Sequence, residues 1–168
     1  MVLPRPIEAK TLMKDTHHYQ ATITWTGNLG TGTSSYRAYE RSHTIEILNK
    51  PAIFGSSDSS FRGDPSKHNP EELLIASLSA CHLLWYLHLC ADAGVVVVNY
   101  SDQATGVMVV DKDGRGYFTE VMLNPIVTVS EISMMNKAFE LHERAREFCF
   151  IANSVNFPVK HHSTINVK

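Results

Sequence analysis

The chain has 168 residues, of which 43% are hydrophobic, and its formal net charge is −2. A chain of this length and composition can bury the core of one domain, so folding requires neither a structural metal nor a disulfide framework. The small net charge gives no basis for binding nucleic acid or an anionic membrane surface, and we expect neither as a partner.

The N-terminal part of the sequence predicts an arm followed by a meander of three strands. Residues 1–18 have mixed polarity and lack the apolar stretch of a signal peptide, which predicts an arm and a cytoplasmic protein. Alternating residues over 19–25 predict the first strand, and further strands are predicted over 34–39 and 43–48. Serines, glycines and a proline over 51–68 predict a long loop, which in a small domain is usually functional or mobile.

The strongest helix signal begins at Asn69. Asparagine can cap a helix, the proline after it suits the first turn, and the two glutamates that follow complement the positive end of the helix dipole. We predict a helix from this point to about Ala93, ended by Gly94. It is apolar nearly all round, and histidines and an aspartate interrupt it, so we expect a central buried helix rather than a membrane span.

The second half of the sequence predicts a hairpin, a second helix and a last strand. β-Branched residues over 95–110 predict one strand, and residues 117–129 predict its partner across a glycine-rich turn. The second helix is predicted to open near Ser130 and to end near Phe148, before a strand over 164–167. This order of elements predicts an α+β fold with two central helices on antiparallel sheet, all in one domain.

Three cysteines without a CxxC pair predict neither a zinc ribbon nor a thioredoxin-type site. In a cytoplasmic protein, a disulfide is more often transient and catalytic than structural. Cys90 has no supporting motif and is interpreted as a core residue. Cys81 follows a run of small residues that lets a substrate approach closely. Cys149 lies where the second helix gives way to a loop, so its thiol can move toward another sulfur.

The nine histidines do not predict a metal site. His17–His18 and His161–His162 are adjacent pairs, and neighbouring residues rarely face one ion. His82 follows Cys81 directly, and adjacent residues on a helix do not face each other, so the two do not form a nucleophile pair. The histidines are interpreted as surface residues, with His82 or His88 in the core.

Residues 69–81 read Asn-Pro-Glu-Glu-Leu-Leu-Ile-Ala-Ser-Leu-Ser-Ala-Cys. This segment resembles the NPEELL-x-A-x-x-x-A-C motif of the osmotically inducible protein C and organic hydroperoxide resistance (OsmC/Ohr) family. Residues 149–154 resemble the second cysteine motif of that family, with Phe150 in the place of its usual proline. The order of elements also matches, so the resemblance covers residues 19–168.

The resemblance implies a thiol peroxidase that works without metal, haem, flavin or another cofactor. Family members are intertwined homodimers with active sites at the subunit interface, and they reduce organic hydroperoxides and in some cases hydrogen peroxide. By this resemblance Cys81 is the peroxidatic thiol, which attacks the peroxide, and Cys149 is the resolving thiol. An external dithiol such as dihydrolipoamide, free or on a lipoylated protein, would then reduce the disulfide.

The resemblance also implies an arginine beside the reactive thiol. Glu71 matches the family carboxylate that orients this arginine. The arginine itself is assigned to Arg62, as in the OsmC-like branch of the family, with Arg37 and Arg41 as alternatives. Glu71 precedes Cys81 by ten residues, or about 15 Å on a straight helix, so the pair must reach the thiol through the preceding loop or from a second subunit.

Aromatic residues predict an apolar pocket near the thiol. We expect Phe61, Trp85, Phe148 and Phe150 to line it and to favour alkyl or lipid hydroperoxides over hydrogen peroxide. An alternative stays open at this point. The same pocket in a catalytically silent OsmC-like dimer would bind a small hydrophobic ligand.

Overall fold

The structure, a computed structural model, describes residues 15–168, so most of the arm predicted over residues 1–18 lies outside the described residues. Its first three strands form an antiparallel sheet in the order β1-β2-β3. They are β1 (Thr22–Trp25), β2 (His43–Glu46) and β3 (Ile53–Gly55). The strands predicted over 19–25 and 43–48 are confirmed as β1 and β2.

The strand predicted over 34–39 is wrong, because Arg41 holds this segment in a compact turn. Its guanidinium donates to the carbonyls of Tyr36, at 2.8 Å, and Tyr39, at 2.7 Å, and lies 4.3 Å from the centre of each ring. These contacts are favourable only when both tyrosines fold around the arginine. The loop predicted over 51–68 contains β3 and one short 3-10 turn.

The predicted first helix is confirmed as α1 (Pro70–Asp92). Asn69 Oδ1 accepts from the Glu72 N–H at 2.8 Å, and a Glu72 carboxylate oxygen accepts from the Asn69 N–H at 3.3 Å. This reciprocal capping box satisfies two backbone donors that a helix start leaves free. Gly94 ends the helix with a φ of 71°, a conformation that glycine adopts without steric cost.

Replacing Asn69 with alanine should lower the free energy of unfolding by about 1 kcal/mol, because the cap of α1 is lost. Asn69→Asp should retain most of the stability, since a carboxylate accepts the same hydrogen bond. Asn156→Ala, at an exposed loop position, is the control. Chemical denaturation measures all three, and equal losses for Asn69→Ala and Asn156→Ala would contradict the prediction.

The two strands predicted over 95–110 and 117–129 are each divided in two. A corner formed by Asp102 and Asn124 explains the division: Asp102 Oδ1 accepts from the Asn124 N–H at 2.7 Å, and the Asn124 amide donates to the Gln103 carbonyl at 2.9 Å. The resulting strands are β4 (Val97–Asp102), β5 (Thr105–Val110), β6 (Gly116–Leu123) and β7 (Pro125–Val129).

The four strands belong to two separate sheets, each completed by a strand from the end of the chain. β8 (Val159–His161), which was not predicted, joins a sheet in the order β5-β6-β8, and β9 (Thr164–Val167) joins one in the order β4-β7-β9. The β6–β8 and β7–β9 pairs are parallel, so the expectation of purely antiparallel sheet is wrong in this detail.

The second helix, α2 (Met135–Phe148), packs against α1, and the predicted α+β fold with two central helices is confirmed. The side of α1 that faces the core is a stripe with a spacing of four residues: Leu78, His82, Tyr86 and Cys90. By its length and its mean hydropathy of 1.6, α1 could span a membrane. Its buried stripe packs against the core, so it is a core helix of this fold.

Candidate functional site

The structure brings the thiols of Cys81 and Cys149 together. Cys81 lies in the fourth turn of α1 and is partly exposed, whereas Cys149 follows the last residue of α2 and is only 1% exposed. Burial and a hydrogen bond with the Cys81 thiol raise the pKa of Cys149 to about 11. All three cysteines are free thiols. Two helices that are distant in sequence therefore place two reduced sulfurs side by side.

The loop after α2 fixes the position of Cys149. The Asn153 side chain donates to the Glu147 carbonyl at 2.9 Å and its N–H donates to the Cys149 carbonyl at 3.0 Å. Ser154 Oγ donates to the Phe150 carbonyl at 2.7 Å. These bonds satisfy carbonyls that the helix end leaves free. Cys149 itself is extended, with a ψ of 106°, a conformation that suits either proline or phenylalanine at the next position.

A cavity of about 600 Å³ opens above Cys81. Its walls are formed mainly by one face of α1 and by the residue after Cys149: Ser77, Ala80, Cys81, Leu84, Trp85, His88 and Phe150. The Ser77 hydroxyl donates to the Leu74 carbonyl at 2.8 Å and so adds little polarity. The Cys81 sulfur thus lies in an apolar cavity of the size of a small organic ligand.

Two of the four aromatic residues predicted to line this cavity do so, namely Trp85 and Phe150. Phe148 is not among the lining residues, but its ring stacks on the Trp85 ring at 5.1 Å, and the Phe150 ring lies 5.4 Å from Trp85 edge-to-face. The prediction is wrong for Phe61, which lines a different cavity, together with Glu71.

Residues 15–168 of one chain do not bring Glu71 or an arginine to the walls of the Cys81 cavity. Glu71 lines the cavity of Phe61 rather than that of Cys81, and its Oε2 is buried without a hydrogen-bond partner. Arg62 is exposed at a φ of 66° and is not among the residues that line the Cys81 cavity. The sequence-based expectation that an arginine lies beside the thiol is therefore not met within one described chain.

The two alternative arginines are also not among the residues that line the Cys81 cavity. Arg37 is exposed, and Arg41 is held between Tyr36 and Tyr39. A buried carboxylate oxygen without a hydrogen-bond donor is energetically costly. Residues 15–168 of a single chain supply no donor or cation to Glu71 Oε2.

A buried histidine cluster lies on the other side of α1 and was not predicted as a group. His82 Nε2 and His142 Nδ1 are 3.0 Å apart and share a hydrogen bond, and the His161 ring lies within 5.7 Å of both rings. Burial, reinforced by the neighbouring histidines, lowers the pKa of His82 to about 4 and that of His142 to about 3. The prediction of a core His82 is confirmed.

This cluster is not arranged as a metal centre. Among residues 15–168, no group of three or more histidine, cysteine, aspartate or glutamate side chains has the arrangement to hold an ion. Sequence reasoning missed the cluster because His82, His142 and His161 come from three elements, and nothing in their local sequence links them. Cys90 is buried as expected, and burial raises its pKa.

Comparison with known proteins places this geometry in one family. Residues 63–163 match the family model described as OsmC-like protein. An OsmC-like protein of unknown function from Vibrio cholerae O1 biovar eltor is 30% identical, with a TM-score of 0.79 over 89% of this chain and 100% of its own. No curated protein matches the sequence.

More distant structures share the fold. An organic hydroperoxide resistance protein from Elizabethkingia anophelis, crystallised with thiocyanate, is 18% identical, with a TM-score of 0.66 over 93% of this chain and 100% of its own. An organic hydroperoxide resistance protein from Legionella pneumophila is 15% identical, with a TM-score of 0.63 over 92% and 100%. The matched residues include the Cys81 helix and Cys149, and this chain belongs to the OsmC-like family.

Proposed function

We propose that this protein is a cysteine-based peroxidase that reduces organic hydroperoxides, with Cys81 as the attacking thiol and Cys149 as the resolving thiol. The observation that carries the proposal is that these two thiols lie side by side, close enough for Cys81 to raise the pKa of Cys149, at the edge of an apolar cavity. A raised pKa keeps Cys149 protonated near neutral pH, so its S–H can donate to the Cys81 sulfur. Cys81 is also the more exposed of the two, which suits it to meet the substrate first.

The reaction proceeds in two balanced steps. The Cys81 thiolate attacks the outer peroxide oxygen, the O–O bond breaks, and the alkoxide takes a proton to leave as an alcohol, which gives Cys81 sulfenic acid. The Cys149 sulfur then attacks the Cys81 sulfur, the S–O bond breaks, and the oxygen leaves as water, which gives the disulfide. An external dithiol such as dihydrolipoamide returns both residues to thiols and is itself oxidised to a disulfide.

A second copy of the chain would complete the site. The strands β1–β3 have no extensive packing against the helices, and apolar side chains such as Ile23 (63% exposed) and Phe54 (62%) are open to solvent. A homodimer would cover them, as expected from the family. It would also let an arginine from a second subunit, at position 62 or else 37 or 41, pair with Glu71 and favour the thiolate.

The apolar cavity supports organic substrates over hydrogen peroxide. An organic group displaces water from the walls formed by Leu84, Trp85 and Phe150, whereas hydrogen peroxide cannot use these contacts. The names of the Elizabethkingia and Legionella relatives agree with this substrate class. The need for a reduced dithiol pool favours the cytoplasm as the site of action.

The test is to follow peroxide loss by the full chain with dihydrolipoamide and to identify the oxidised product by mass spectrometry. We expect cumene and tert-butyl hydroperoxide to be turned over with a kcat/KM at least about tenfold above that for hydrogen peroxide. We also expect a Cys81–Cys149 disulfide when the dithiol is withheld. Absence of both turnover and disulfide would overturn the proposal in favour of a silent dimer that binds a hydrophobic ligand.

A further inference from the structure

Trp85 lies at the point where the two thiol-bearing segments meet. It follows Cys81 by four residues on α1, so the two side chains are neighbours on one helix face, and both line the same cavity. Its indole contacts both chain neighbours of Cys149: Phe148 at 5.1 Å and Phe150 at 5.4 Å between ring centres. We call Trp85, Phe148 and Phe150 the aromatic clamp.

The clamp is the side-chain contact between α1 and α2 that lies closest to the thiols. Two hydrogen bonds also join the helices. One links His82 and His142, and in the other the Tyr86 hydroxyl donates to the Ala138 carbonyl at 3.1 Å. His142 and Ala138 precede Cys149 by seven and eleven residues, or about 10 and 16 Å along the helix. Those contacts fix the core of the helix pair, but they do not hold its end.

The hydrogen bonds of the backbone after Cys149 come from Asn153 and Ser154, which belong to the same loop. Farther along this loop, Ile151 and Ala152 pack against the core cluster that contains Leu78 of α1. At the cavity, the residues on either side of Cys149 contact α1 through the Trp85 ring. Stacked and edge-to-face aromatic pairs each stabilise the paired arrangement by a few-fold to about tenfold.

We propose that Trp85 is a positioning residue that, through Phe150 and Phe148, holds Cys149 within reach of Cys81 and so speeds the condensation of Cys81 sulfenic acid with the Cys149 thiol. The inference rests on the proposed function for its role in turnover. Without the clamp the segment beside Cys149 is held less tightly against α1, which lowers the effective concentration of Cys149 at Cys81. The sulfenic acid then persists and is open to further oxidation by a second peroxide to sulfinic acid.

The first experiment needs no peroxide. The chain is equilibrated in mixtures of reduced and oxidised dithiothreitol, its thiols are alkylated, and the Cys81–Cys149 disulfide is quantified by mass spectrometry. Trp85→Leu, which removes both aromatic pairs, should shift the equilibrium toward the dithiol at least about tenfold, which corresponds to about 30 mV. Phe150→Leu, which removes one pair, should shift it by a few-fold to about tenfold. Phe139→Leu, at an exposed position of α2 away from the cavity, should leave it unchanged. Trp85→Phe, which keeps an aromatic ring, should retain most of the disulfide stability that Trp85→Leu loses.

The second experiment separates resolution from attack in single turnovers with cumene hydroperoxide. Cys81 sulfenic acid, trapped with dimedone, should persist at least about tenfold longer in Trp85→Leu, and a few-fold longer in Phe150→Leu, than in the unaltered chain. Both side chains also line the cavity, so attack is slowed as well, but by a smaller factor than resolution. Phe150 is 67% exposed, so its variant tests the clamp even where Trp85→Leu does not fold.

Two results would overturn the clamp. One is that Trp85→Leu and Phe150→Leu have the same disulfide equilibrium and the same resolution rate as Phe139→Leu. The other is that they slow attack and resolution equally, which would show that the rings act only as cavity walls. A different result separates the two proposals. If the unaltered chain forms the disulfide in dithiothreitol but gives no sulfenic acid with any hydroperoxide, the peroxidase proposal fails and the dithiothreitol equilibrium alone decides the clamp.

Discussion

Replacing Cys81 with serine is expected to lower hydroperoxide reduction by at least about a thousandfold, because a serine hydroxyl is almost entirely un-ionised and is a far weaker nucleophile than a thiolate. In the proposed reaction the Cys81 sulfur is the nucleophile, and Cys81 lines the apolar cavity. The measurement is dihydrolipoamide-dependent loss of cumene hydroperoxide.

Two further variants give this prediction its controls. Cys90→Ala should keep the rate within about twofold, since Cys90 is a core residue on the other side of α1. Cys149→Ser should still consume one peroxide per chain in a first turnover and then stall as the sulfenic acid. Retention of more than a tenth of the activity by Cys81→Ser would contradict the assignment, and so would an equal loss in Cys90→Ala.

Acid is expected to destabilise the protein through His82 and His142. Both have a lowered pKa in the folded chain, about 4 and about 3, whereas an unfolded histidine titrates near 6.5. Between these values the unfolded chain binds more protons than the folded one, so stability is full above pH 6.5 and falls as the pH drops toward 4. Linkage gives a loss on the order of 4 kcal/mol between pH 7.5 and 4.5, a large part of a typical stability.

The cluster that titrates is defined by the packing around it. The groups that face the pair are His161 from β8, the Glu143 carboxylate 3.3 Å from His161 Nε2, and the ring of Tyr86, stacked 3.9 Å from His142. His142→Asn places an amide where Nδ1 meets His82 and removes one titrating group. This variant should lose about half as much stability over the same pH range.

Chemical denaturation at pH 7.5 and at pH 4.5 measures the effect. His162→Asn, at an exposed position, should follow the unaltered chain, so the comparison isolates burial from histidine content. Other acid-sensitive groups are shared by all three chains and cancel in the difference. Parallel losses in the unaltered chain and in His142→Asn would show that the buried pair does not control acid stability.

Local signals in the sequence predicted α1 and its ends, because a cap and a stop act over a few residues. Asn69 and Glu72 form the capping box within one turn, and Gly94 needs only its own backbone freedom. The prediction of a strand over 34–39 was wrong because the contacts of Arg41 with Tyr36 and Tyr39 override the local preference for an extended conformation. The division of the two longer strands failed for a similar reason, since Asp102 and Asn124 are 22 residues apart.

The candidate site divides in the same way. The sequence alone predicted Cys81 and Cys149 as the thiols of interest, because their flanking residues are local motifs, and it determined the family, which the match over residues 63–163 then confirmed. Only the tertiary structure decided that the two thiols lie side by side, that Trp85 joins the segments beside them, and that Glu71 and Arg62 lie outside the cavity of Cys81. The physical reason is that motifs report the conformation of neighbouring residues, whereas contacts between distant segments depend on how the helices and sheets pack.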